Sequence, residues 1–197
     1  MYVEYRKENQ DSIKQQWSSG DYFIINEDFG KYDGEDRFRR IELYGGRNYC
    51  LFSTLAGVRD YSGKMIPVSE PKDLPDDVSD YVQKESDSWG CDGHSHSWLT
   101  LKELKDYNNE KPMMHYSGMI SPEQARKLDE GIEFPDSWCQ WTTREGYVKR
   151  EWSERNATLD PLIELLEQRA KELLELRHRE YDSSKDSDFR IVFWFDN

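Results

Sequence analysis

Arg190-Ile191-Val192-Phe193-Trp194-Phe195 is the stretch whose reading sets the fold. Five successive side chains are apolar, so both faces of any strand they form need cover. Such a strand belongs in the middle of a sheet. The rest of the chain must then supply neighbours and covering layers. Alternating patterns nominate the neighbours: Tyr2-Val3-Glu4-Tyr5, Asp21-Tyr22-Phe23-Ile24-Ile25 and Arg39-Arg40-Ile41-Glu42-Leu43. A hairpin is expected from Ser137 to Thr143 and Tyr147 to Trp152, joined by Arg144-Glu145-Gly146.

Helices supply the cover. Asp160-Pro161 opens the longest, to about Glu180, with Leu162, Ile163, Leu166, Ala170, Leu173 and Leu174 on one stripe. Asn48 suits an N-cap for a helix with Tyr49, Leu51, Phe52 and Leu55 on its apolar side, and Gly57 suits its end. Val78, Tyr81, Val82 and Trp89 have helical spacing, with Asp76-Asp77 near the positive end of the dipole and Gly90 as the stop. Thr100-Leu101-Lys102-Glu103 reads as a capping box, and Ser121-Pro122-Glu123-Gln124 repeats its logic with Gly131 closing the helix. The expected class is α+β: a mixed, mainly antiparallel sheet flanked by four or five helices in one domain over residues 1–197.

Composition narrows the function. The 197 residues are 34% charged and only 36% hydrophobic, yet 14% are aromatic, which separates the chain from disordered sequences of similar polarity. A net charge of -13 argues against coating nucleic acid through the general field. Between Lys31 and Lys64, seven basic residues face five acidic ones, so this region alone is expected to attract an anion. Three widely spaced cysteines, Cys50, Cys91 and Cys139, do not form a disulfide framework and suit a reducing cytosol. No apolar run approaches the ~20 residues of a membrane span, and the first ten residues lack a signal peptide's apolar stretch.

Two constellations can carry chemistry. In Gly45-Gly46-Arg47-Asn48, a glycine turn leads into a helix N-terminus whose N–H groups and dipole favour an anion. Arg47 adds a forked guanidinium, and Arg59 is expected nearby. The plainer reading is a tight turn with a surface arginine. In Cys91-Asp92-Gly93-His94-Ser95-His96-Ser97-Trp98, two histidines lie among hydroxyls in a stretch read as a polar loop. His94 and His96 suit proton transfer near neutral pH, and Ser95 and Trp98 could contact a ligand beside them. The plainer reading is a hydrogen-bonded loop that anchors Trp98. Zinc is disfavoured because no second ligand pair has adequate spacing, and neither a metal nor a cofactor is expected. Hairpin alternation puts some of Trp138, Trp141, Tyr147 and Trp152 on an exposed face, where ligand or subunit contact is the alternative to the core. The long helix reads as packing on the sheet, not as a partner helix.

Gly46-Arg47-Asn48-Tyr49 with Leu51-Phe52 and Leu55 to Arg59, Gly93 to Leu101, Ser137-Trp138-Cys139-Gln140-Trp141 and Arg190 to Asn197 together resemble a family of small accessory proteins of tailed phages and prophages. The resemblance covers most of the chain from about residue 39. It implies an optional phage gene expressed in a bacterial cytosol, a setting in which such genes often counter host defence. It carries no catalytic residue with it.

The leading expectation is a protein that binds and sequesters a small, nucleotide-like anion, with Gly45, Gly46, Arg47, Asn48 and Arg59 on the phosphate and tryptophans on the base. The alternatives are a metal-independent phosphodiesterase using His94 or His96, and an acidic inhibitor imitating nucleic acid on a host enzyme. Exposed aromatics also make a homo-oligomer an expectation.

Overall fold

Phe189–Phe195 forms a strand hydrogen-bonded on both sides. A computed structural model describes residues 1–7, 16–34, 36–60, 65–110, 112–155 and 159–196. In chain order its elements are β1 (Tyr2–Arg6), β2 (Trp17–Ser19), β3 (Tyr22–Ile25), β4 (Phe38–Ile41), α1 (Tyr49–Ala56), α2 (Asp80–Trp89), β5 (His94–Thr100), α3 (Leu101–Glu110), β6 (Met113–Ile120), α4 (Pro122–Asp129), β7 (Val148–Arg155), α5 (Asp160–Glu175) and β8 (Phe189–Phe195). The class is α+β, and every pairing among these strands is antiparallel.

The main sheet runs β2-β1-β8-β5. Period-two alternation sends Phe189, Ile191, Phe193 and Phe195 of β8 to one face, where they join the α5 stripe and Leu51, Leu55, Leu101 and Leu104 from α1 and α3. Val192 and Trp194 go to the other face with Tyr2, Val82 and Trp98, under α2. The closing strand is therefore central because helices cover both of its faces.

Arg190 also points to the α2 side, although it is fully buried. Its guanidinium donates to Glu4 Oε2 at 2.7 Å and to Asp77 Oδ1 at 2.8 Å. The Trp17 ring lies 3.8 Å from its Cζ and the Trp98 ring 5.4 Å. Glu4 accepts a further bond from the Ser79 backbone N–H, and Asp77 one from the Trp17 indole. Each charge in the group therefore has a partner, which is the condition for burying it.

The helix signals hold locally. Asn48 Oδ1 accepts from the Leu51 N–H at 3.1 Å, and Gly57 ends α1 with φ +67. Capping boxes open α3 at Thr100 and α4 at Ser121. The long helix stops at Glu175, short of the expected Glu180, because His178 turns the chain at φ +56.

Three strand expectations are corrected. Residues 137–143 do not pair with 147–152; β7 pairs with β6, from Met113↔Arg155 to Ile120↔Val148. Residues near Cys139 instead lie along the outer edge of β6, joined by one bridge to Met119. Second, β3 and β4 form their own two-stranded ribbon, with Phe23 opposite Arg40 and Ile24 opposite Arg39. Among the described residues, the sheet expected to be single is thus three. Third, the stretch read as a polar loop from Gly90 to Ser97 becomes β5 from His94 onward, because the edge of β8 offers it a ladder.

Arg190→Met is expected to strand the Glu4 carboxylate and to cost about 3–5 kcal/mol. Urea unfolding should show this as a lower midpoint with an unchanged slope.

Candidate functional site

Between the N-terminal end of α1 and the wall formed by β6 and residues 136–141 lies a cleft of about 920 Å³. Local sequence explains both walls. On one side the Asn48 cap fixes where α1 begins, which carries Arg47, Tyr49 and Cys50 to the rim. On the other, Gly118 lets Trp138 lie directly on β6: a Cβ there would come within 2.6 Å of Trp138 Cδ1. Trp138 is then held edge-on to Tyr116 and Trp152, with centroids 5.0 and 5.5 Å away. Trp141, in the same wall, is 77% exposed.

Arg47 and Arg59 meet here. Both line the cleft, and their guanidinium carbons lie 5.9 and 4.8 Å from the centroid of Tyr49. Arg59 holds a left-handed backbone, φ +60, and donates to the Asp196 carbonyl at 2.8 Å. The Asp196 carboxylate lies 3.8 Å from Arg47. Asp196 thus touches both arginines, through its backbone carbonyl on Arg59 and its carboxylate beside Arg47. Asp60 and Asp136 also line the cleft, so its charge is mixed and the arginine corner is its positive pole.

The remaining expected residues divide. Gly46 and Asn48 line this cleft, although the Asn48 side chain is already used as the cap. Gly45 lines an adjacent hollow of about 230 Å³ with Arg40 and Trp194. Neither glycine has the left-handed φ that gathers successive N–H groups into an anion nest. His94, Ser95, His96 and Trp98 line neither space. Ser95 sits at φ +52 in a bulge between His94 and Ser97, and its hydroxyl lies 3.0 Å from His94 Nδ1. His96 stacks on Trp194 at 5.2 Å, and its Nε2 lies 3.0 Å from Ser86 Oγ on α2. Burial holds the imidazole below its usual range. His96 thus packs between β5, β8 and α2, His94 lies 6.1 Å from the Phe195 ring, and Trp98 covers Arg190.

The cleft also holds groups the sequence did not single out. His115 lines it, with Nδ1 2.7 Å from Ser153 Oγ on the paired strand. Its pairing across β6 and β7 is invisible without that register. Burial and then the Glu154 charge push the Cys50 thiol up to about 11, so it is no nucleophile at neutral pH. Glu154 is itself raised by burial. Among the described residues no group of three or more His, Cys, Asp or Glu is placed to hold a metal, and no helix is long and apolar enough to cross a membrane. All three cysteines are unpaired.

No protein family, curated protein or solved structure matches this chain.

Two measurements probe this geometry. Gly118→Ala should push Trp138 off β6, at about 1–3 kcal/mol, and change the near-ultraviolet circular dichroism. The His96 proton is held less tightly folded than unfolded, so the unfolded state binds more protons below 6.5 and stability falls as pH drops through that range. Asp21 opposes this: burial raises its carboxyl to about 6, so its share of stability grows as pH falls from there toward 3.8. Comparing urea midpoints of wild type and His96→Gln over the same pH series isolates the histidine, and the variant should lose less stability in acid.

Proposed function

We propose that this chain is a phage accessory protein of the bacterial cytosol that binds and sequesters a small, nucleotide-like anion in the Arg47–Arg59 cleft. The observation that carries this reading is the meeting of two arginines beside Tyr49, with the exposed Trp141 in the facing wall. Guanidinium forks suit phosphate oxygens, and an exposed indole suits a base. A cleft of about 920 Å³ lies within the range used for small ligands. Asp196 acts as a placeholder, and an entering phosphate takes over its loose contact with Arg47.

Sequestration needs an enclosing shape and no acid–base pair, which agrees with the raised Cys50 thiol. Turnover is the second reading, and it attaches to His115, the histidine that lines this cleft, rather than to His94 or His96.

Calorimetry against a panel of nucleotides and cyclic dinucleotides should give saturable binding. Arg47→Ala should weaken it about tenfold or more. Trp141→Ala should remove about 1–3 kcal/mol of stacking. Ligand should be recovered intact after long incubation; loss of ligand that stops in His115→Ala would favour turnover. A wholly silent panel would remove the ligand reading.

A further inference from the structure

A different cleft, of about 800 Å³, opens where β1, the end of α5 and the 3-10 helix Ser183–Asp188 meet. Arg6, Lys7, Arg177, Arg179 and Lys185 line it, and Asp188 is the one carboxylate among its described lining residues. Asp188 lies 3.6 Å from Arg6, and cations outnumber carboxylates among the described lining residues of a molecule whose net charge is -13.

Helix capping explains part of this. Arg177 and Arg179 follow the C-terminus of α5, where cations offset the negative end of the dipole, and Arg177 donates to the Leu173 carbonyl. It does not explain Arg6 and Lys7, which come from β1 and the residue after it, or Lys185, which comes from the 3-10 helix. Three separate elements bring cations to one concavity, against their mutual repulsion. Two of the guanidinium groups are already held on rings, Arg177 4.1 Å from Tyr5 and Arg6 5.0 Å from Trp17. Held planes lose less freedom when they bind a phosphate.

We propose that this cleft is a second anion site, independent of the Arg47–Arg59 cleft, for a compact ligand carrying two or more adjacent phosphates. Compactness follows from the field. Screening confines the cleft's attraction to about 8 Å at physiological salt. A long polyanion would leave that zone and meet the acidic exterior, whereas a small one stays inside it.

The test is calorimetry of the full chain with inorganic tripolyphosphate at low and high salt. The site predicts saturable binding that weakens with salt. The double variant Lys7→Gln with Lys185→Gln should bind about tenfold or more weaker. Asp188→Asn should bind several-fold tighter, a gain that no folding defect produces. Arg126→Ala, on α4 and in neither cleft, should leave this affinity unchanged. The proposal is overturned if wild type shows no binding at low salt, if both cleft variants match wild type, or if the loss appears in Arg47→Ala instead.

Discussion

A single buried guanidinium organises this molecule. Arg190 stands on the central strand, at a position where an apolar residue would pack with less risk. Its bonds to Glu4 and Asp77 join β1, β8 and the approach to α2. Through Glu4 the network reaches the Ser79 N–H, at the residue that caps α2. Through Asp77 it reaches the Trp17 indole on β2. The arrangement therefore specifies where α2 begins and how it sits on the sheet. An apolar core could form in several registers, but this network is satisfied in only one. That argues for specificity as its role, since the pairing recovers little beyond the cost of removing the charges from water.

The sequence showed the parts of the fold that depend on local rules. Asn48, Thr100 and Ser121 mark helix starts through bonds closed within three residues, so the motif carries the whole interaction. The central placement of Arg190 to Phe195 follows from the pleat alone. Pairing between distant segments was not legible. Residues 137–143 alternate as a strand should, yet β6 takes β7 as its partner. Met113 to Ile120 gave little strand signal because Ser117 and Gly118 look like turn residues, and Gly118 is there for Trp138. The site was half legible for the same reason. Arg47 and Arg59 lie twelve residues apart on either side of a short helix, and their long side chains both reach the Tyr49 ring. His115 enters the cleft only through the strand register, and the histidine-serine stretch became part of β5 once β8 offered it an edge.

The two clefts differ in kind. The Arg47–Arg59 cleft has aromatic walls and mixed charge, with Asp60 and Asp136 among its lining groups. It suits a ligand with a flat face and one charged end. The other is dominated by cations, two of them held on aromatic rings, and suits charge density over shape. With a net charge of -13, an anion at either cleft would feel attraction only over a short range, and the wider field would discourage long polyanions.

The β3–β4 ribbon leaves Phe23, Ile24, Ile25, Phe38 and Ile41 substantially exposed. A two-stranded sheet with that much apolar surface is a template for uncontrolled strand addition. Arg39 counters it. It is exposed on β4 opposite Ile24, so a second ribbon arriving there would have to desolvate or oppose its charge. Arg40, opposite Phe23, turns inward to the Met1 carbonyl and the Tyr2 ring and takes no part in this. One arginine of the basic segment thus acts as its gatekeeper against fibre growth.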